Sequence, residues 1–365
     1  MARTRLYDTH ISMGARITEF GGWEMPVQYP PGPLEEHRAV REDAGLFDIA
    51  HMGRVKVTGP DALAYLQHLV TWDVSRICVG QSSYSLLCYP DGGFVDDIFI
   101  YHYPDYYLVV INASNRKKDI KWLQLHTPGY NVSVDDVSEE LYMLALQGPK
   151  AQDILQKLTG YDLETIGFHE CTETEVAGVP TLVSRTGYTG EDGFELVFPS
   201  EKAVEMWNTI LETGKPFGLL PAGLAARDSL RFEACLPLYG QEIHAETNPV
   251  NARLTYFVRF EKGDFIGKDA ILKVKLEGAK EKLVGFEMVE RGVPRHGYEV
   301  ADADGNVIGE VTTGMFAPTL KKFLGMAYVP AAYAKLDTEF YIVIRGKARK
   351  AKVVKRPFYK PRYKK

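Results

Sequence analysis

The chain has 365 residues, of which 45% are hydrophobic and 25% charged, a globular composition that excludes long disorder and leaves room for two or three domains. Its net charge of −5 argues against a nucleic-acid coat. Four cysteines without C-x-x-C spacing, Cys78, Cys88, Cys171 and Cys235, exclude a disulfide framework or zinc signature and fit a reduced, cytoplasmic setting.

No stretch has the apolar run that a signal peptide or a membrane span needs, so the protein is expected to be neither secreted nor membrane-spanning. In chain order, runs of β-branched and aromatic residues bounded by Gly, Pro or Asp predict strands over 55–57, 84–88, 94–101 and 107–111. Helical spacing predicts helices over 60–69, with Pro in its first turn, and over 114–126, which opens on a capping Ser. A second set follows Asn131, with strands over 132–134, 141–145, 181–185 and 194–198 and helices over 149–158, 200–213 and 221–234. From residue 282 the texture changes to short strands over 283–288, 307–312, 325–329, 340–344 and 351–354, with a strong hairpin signal at Asp302-Ala303-Asp304-Gly305-Asn306. The fold class is therefore α+β, with a C-terminal β-barrel or sandwich of about 80 residues joined by a charged connector over 273–282. Residues 346–365 carry ten basic and no acidic side chains, leaving −15 on the other 345. A basic arm on an acidic body invites an anionic ligand or partner.

Three stretches could carry chemistry. The turn Ser184-Arg185-Thr186-Gly187-Tyr188-Thr189-Gly190-Glu191-Asp192-Gly193-Phe194-Glu195 gathers three glycines, an aromatic and acids between two strands. Its backbone can approach a ligand, Tyr188 offers a stacking face and Glu195 an acceptor; the plainer reading is an elaborate hairpin. In Gly92-Gly93-Phe94-Val95-Asp96-Asp97-Ile98, alternation sends the two acids to opposite faces, one solvated and one inward where it needs a partner or a function. On the helix over 221–234, Asp228 pairs naturally with Arg231, while Arg227 has no equally obvious partner and could meet an anion or a sulfur ligand. His51 reads as a satisfied structural histidine, and the other eight histidines form no H-x-x-H or H-E-x-x-H pair, so no metal site is expected. No G-x-S-x-G elbow or G-x-G-x-x-G after a first strand is present, which removes the commonest serine hydrolase and a dinucleotide fold.

These stretches, with Gly21-Gly22-Trp23-Glu24-Met25-Pro26, Asn112-Ala113-Ser114-Asn115, Leu146-Gln147-Gly148-Pro149 and Leu238-Tyr239-Gly240-Gln241-Glu242, resemble the T-protein (aminomethyltransferase) family of the glycine cleavage system from about Thr4 to Tyr359. The resemblance implies a three-domain cloverleaf around a central tetrahydrofolate site: 1–52 with 141–240, 53–140 with 241–280, and the barrel with its basic tail over 281–365. It implies transfer of the aminomethyl carbon from lipoylated H-protein to tetrahydrofolate, giving methylenetetrahydrofolate and ammonia, by a monomer that binds neither nucleic acid nor membrane. By motif, Asp97 would be the key acid and Arg227 the central cation, with Tyr84, Asn112, Tyr188 and Glu195 around the folate. The tail's cations would attract folate polyglutamate or an acidic carrier. The alternative is a tetrahydrofolate-dependent demethylase or methylene transferase with a small-molecule donor; a non-catalytic folate-binding accessory role fits less well because Asp97 is retained. The sequence departs from the family pattern at Ala50, Trp72, Asn251, Arg253 and Lys321, where a reshaped donor entrance is expected.

Overall fold

Strand alternation builds four sheets in the computed structural model, which describes residues 1–364. Trp23–Gln28 lies between Ala2–Arg3, its parallel partner, and Arg16–Phe20 in a small N-terminal sheet. A six-stranded sheet runs in the order Cys171–Val176, Val179–Ser184, Gly193–Pro199, Leu141–Gln147, Ala44–Asp48 and Leu219–Pro221, with only the last pair parallel. A five-stranded antiparallel sheet is formed by Gln81–Cys88, Phe94–Tyr103, Tyr106–Ile111, Gly53–Thr58 and Ser133–Asp136.

The two larger sheets pack face to face because their central strands are apolar on both sides. Leu46, Leu144 and Leu146 point to a core shared with Trp207 and Ile210 of the helix Ala203–Gly214. Their neighbours Phe47, Met143 and Ala145 point the other way, against Tyr101, Tyr103, Leu108 and Val110 of the five-stranded sheet. That sheet covers its far face with Tyr65, Leu66 and Leu69 of the helix Ala62–Leu69. After the helix Leu224–Glu233, the chain returns to it: Ile243, Ala252, Val258 and Ile271 pack on Leu86, Cys88 and Phe94. The C-terminal strands Glu281–Met288, Lys322–Pro330, Val307–Ala317, Glu299–Ala301, Glu339–Ile344 and Lys347–Val354 close a barrel around Phe286, Val311, Phe340 and Ile342. Its hairpin at 302–306 is tied by Asp302 N donating to Asn306 O at 3.0 Å, with Gly305 at φ +86°.

Several expectations need correction. The helix predicted over 149–158 is reduced to Ala151–Leu155. The connector over 273–282 is largely ordered, because buried Ile271 anchors the helix Lys268–Glu277 against the five-stranded sheet. The strand near 132–134 pairs with Gly53–Thr58 and closes the first set of strands rather than opening the second. The helix Pro33–Glu42 was not anticipated, since its inward face carries Glu36, His37 and Arg41 among the apolar positions. Tertiary partners satisfy them: Glu36 accepts from Tyr29 N at 2.5 Å and Gly223 N at 2.9 Å.

The basic arm is likewise no free arm. Lys347–Val354 is a barrel strand, and the residues after it strap the barrel to the rest of the molecule. Tyr359 N donates to Glu233 O at 2.7 Å, Arg362 N to Gly190 O at 2.8 Å, and Lys364 pairs with Glu164 at 2.6 Å. The Tyr359 ring lies 3.9 Å under the Arg41 guanidinium and its hydroxyl donates to Glu191 at 2.6 Å.

Candidate active site

A cavity of about 560 Å³ opens where the two sheets, the helix Leu224–Glu233 and the tail meet, and Tyr84, Asp97, Asn112, Tyr188, Glu195 and Arg227 all line it. The strand Phe94–Tyr103 supplies the first wall. Its alternation sends Asp97, Phe99 and Tyr101 into the cavity and Asp96 behind it. Neither acid is left in bulk solvent. Asp96 is fully buried and accepts from Asn112 N at 3.1 Å, Asn112 Nδ2 at 2.9 Å and Asn115 Nδ2 at 2.7 Å.

Asp97 is clasped from both sides. Tyr84 Oη donates to one oxygen at 3.0 Å and Asn112 Nδ2 to the other at 2.7 Å. Burial, followed by the neighbouring Asp96 charge, raises the Asp97 pKa to about 7, outweighing the two donors that favour its ionised form. A carboxyl in this condition exchanges a proton near neutrality, which is what general acid–base chemistry requires.

The glycine-rich turn supplies the opposite wall. A Cβ at Gly187 would stand 1.9 Å from Gln147 Oε1, so only glycine lets the turn sit down on Gln147. Gln147 then braces it, donating to Thr186 O at 3.0 Å and accepting from Thr189 Oγ1 at 2.8 Å. Both readings of the motif hold in part. Asp192 pairs with Arg185 and Glu191 with Arg41, which is hairpin architecture, while Gly187, Tyr188 and Glu195 face the cavity. Glu195 accepts from Thr186 Oγ1 at 2.7 Å and Tyr101 Oη at 2.9 Å, and its remaining lone pairs are available to a ligand. Tyr188 is fixed by its hydroxyl, which donates to Pro237 O.

Arg227 lies with its guanidinium 4.7 Å above the Tyr188 ring. Among the described residues its only side-chain hydrogen-bond contact is Met52 Sδ at 3.9 Å. Burial lowers its pKa from the ordinary value, and the group remains a cation at any physiological pH. Arg231, one turn on, is committed instead to Asp228 and Glu242.

His51 departs from its expected role as a satisfied core residue. It lines the cavity, its Nδ1 is buried without a partner, and burial with the nearby Arg227 lowers its pKa to about 3. It is therefore neutral and no base near pH 7. Sequence reading also missed Tyr101, Phe257, Cys235 and Tyr363 on the cavity wall. Alternation from Asp97 could have found Tyr101; nothing local signals Tyr363, which arrives from the tail and stacks on Phe168 at 4.4 Å between ring centroids. None of Ala50, Trp72, Asn251, Arg253 and Lys321 lines the cavity.

Comparison with known proteins accounts for nearly the whole chain. The GCVT N-terminal domain model matches residues 6–262 and the glycine cleavage T-protein C-terminal barrel domain model residues 281–360. An aminomethyltransferase of Caldanaerobacter subterraneus subsp. tengcongensis is 51% identical over 100% of this chain and 98% of its own length. One from Geobacillus sp. is 52% identical over 99% of both chains. The crystal structure of glycine cleavage system aminomethyltransferase T from Bartonella henselae superposes with a TM-score of 0.94 at 36% identity, covering 100% of this chain and 99% of that one. With sequence and fold similar from end to end, the chain belongs to the glycine cleavage T-protein family.

Proposed function

We propose that the protein is an aminomethyltransferase of the glycine cleavage system. It moves the aminomethyl carbon from lipoylated H-protein to tetrahydrofolate, with release of ammonia and formation of 5,10-methylenetetrahydrofolate. The observation that carries this reading is Asp97, a carboxyl clasped by Tyr84 and Asn112 in the wall of a deep cavity, in a chain whose full-length relatives are aminomethyltransferases.

The cavity suits a folate. Its volume of about 560 Å³ lies within the range of cofactor sites. Tyr84, Tyr188 and Phe257 offer faces for a ring system, Glu195 an acceptor for N–H groups on the ring edge, and Arg227 an uncommitted cation for carboxylates. When bound, tetrahydrofolate supplies the nitrogen atoms that take up the carbon. Asp97, held by Tyr84 and Asn112, carries the proton that the departing amine nitrogen needs. Glu195 and Arg227 orient the acceptor, and no protein nucleophile is required.

The domain division 1–52 with 141–240, 53–140 with 241–280, and 281–365 belongs to the same reading. It is supported by the sheets: strands from 44–48 and 141–221 share one, strands from 53–136 share another on which 243–271 packs, and strands from 281–354 close the barrel. The four free cysteines support a cytoplasmic site of action, and we take the working unit to be a monomer that docks the lipoyl carrier.

The test supplies tetrahydrofolate with either aminomethyl-lipoyl H-protein or methylated small molecules and follows ammonia and methylenetetrahydrofolate. Product with the first donor alone is the expected result. Turnover only with a small-molecule donor overturns this reading in favour of a demethylase.

A further inference from the structure

Behind Asp97 stands a third carboxyl group that the proposed reaction does not use. Asp119 lies in the helix Arg116–Leu125 with its side chain fully buried, and neither oxygen meets a hydrogen-bond donor among the described residues. What it does meet is the carboxyl of Asp96, which already accepts three N–H bonds from Asn112 and Asn115. Two carboxylates in contact away from water cannot both stay ionised, because each uncompensated charge costs several kcal/mol to bury. One proton must lie between them.

The distribution of donors decides where it resides. Three N–H groups favour the charge on Asp96, while Asp119 has none. The nearest cation, Lys118 Nζ, is 3.8 Å from Asp119 Oδ1, beyond hydrogen-bond distance. It is engaged elsewhere, donating to Val95 O and lying 4.1 Å over the Tyr239 ring. The other titratable neighbours, Asp97 and Tyr239, bring no positive charge. Burial, then Asp96, raises the Asp119 pKa to about 11, in agreement with the geometry. In front of Asp96, Asn112 Nδ2 bridges to Asp97, 2.9 Å from Asp96 Oδ1 and 2.7 Å from Asp97 Oδ1.

We propose that Asp119 is a positioning residue for the transfer reaction: a neutral carboxylic acid that donates a hydrogen bond to Asp96 while keeping its proton, fixes Asp96 as the anion behind Asn112, and through that anion keeps a proton on Asp97. The inference rests on the role of Asp97 given above. No proton leaves the pair, so Asp96 and Asp119 together keep one negative charge throughout the reaction.

Two variants and one spectroscopic measurement test it. Asp119→Asn retains a donor toward Asp96, whereas Asp119→Leu removes it and lets Asp96 take up a proton. In Asp119→Leu the pH–rate midpoint belonging to Asp97 falls by about one unit or more, and turnover at pH 7.5 falls roughly tenfold, while KM for tetrahydrofolate is unchanged. Asp119→Asn keeps the wild-type midpoint. A folded Leu variant with the wild-type midpoint, or an Asn variant shifted as far as Leu, overturns the proposal. Infrared difference spectra of wild type against Asp119→Asn at pH 8 need no activity and no Leu variant. The expected result is the carbonyl stretch of a protonated carboxylic acid, lost on substitution. Its absence overturns the proposal even where aminomethyl transfer is intact, and its presence stands even where transfer fails.

Discussion

Asp97 holds its proton close to neutrality because burial and the Asp96 charge both penalise the ionised form. Asp97→Asn removes that titration but keeps an amide that can bond Tyr84, so tetrahydrofolate binding is retained while ammonia release slows by about 10²- to 10⁴-fold. Unchanged turnover would remove Asp97 from the reaction. The same group links stability to pH. Its folded pKa of about 7 lies above the unfolded value of about 3.9, so the wild type loses stability as pH rises between them. The stability margin of Asp97→Asn over wild type therefore grows from about pH 4 to about pH 7 and then levels off, which thermal unfolding at pH 5 and pH 8 reads directly. Lys321 and Arg253 stand at φ +54° and +60°, in the left-handed region that favours glycine. An L-residue there costs about 1 kcal/mol, so Lys321→Gly raises stability by about 0.5–1 kcal/mol; denaturant unfolding with no gain would show that the turn carries no strain. Period-two alternation separates the adjacent acids Asp96 and Asp97 but does not say which of them enters the cavity, and Asp97 is singled out by the family resemblance alone. His51 was not legible in the sequence, because whether a histidine finds a partner depends on chain segments far from it.

Among the elements, the strand Phe94–Tyr103 and the tail are opposites in legibility. The strand announces itself by β-branched and aromatic residues, and its turn by Asp91-Gly92-Gly93. The tail has only its charge, which suggests a solvated arm, whereas backbone bonds to Glu233 and Gly190 and the stacking of Tyr363 on Phe168 make it a wall of the cavity. Removing residues 360–365 therefore weakens tetrahydrofolate binding by a loss of packing that changes little with salt. Titration at low and high ionic strength checks this, and a loss confined to low salt would restore the electrostatic view of the tail. The helix Pro33–Glu42 hid for a related reason: its buried face holds Glu36, His37 and Arg41, whose partners lie far along the chain, so its hydrophobic periodicity is broken where the molecule is most tightly tied together.

On the scale of the whole molecule, one buried carboxylate joins barrel and body. Glu242 accepts from Arg231 Nη1 at 2.6 Å on the body and from Thr312 Oγ1 at 2.8 Å and Thr313 Oγ1 at 2.5 Å on the barrel. Glu242→Ala leaves Arg231 with Asp228 as its one carboxylate partner and takes the acceptor from Thr312 and Thr313, which costs about 1–3 kcal/mol. Limited proteolysis is expected to accelerate over 278–280, between the helix Lys268–Glu277 and the first barrel strand; unchanged cleavage would mean that the tail strap, the bond from Thr319 N to Glu233 at 2.8 Å and apolar contacts such as Phe232 with Leu324 hold the barrel without Glu242. The sequence by itself determined the α+β class, the C-terminal barrel and the family, because local periodicity, turn chemistry and motif spacing are written in consecutive residues, and through the family resemblance it pointed to six residues that line the cavity. Only the tertiary structure decided that those six face one space, that the basic tail closes it, and that Asp119 lies buried without a hydrogen-bond donor behind Asp97. Burial and hydrogen-bond supply set the state of a charged group, and both are properties of segments brought together by folding.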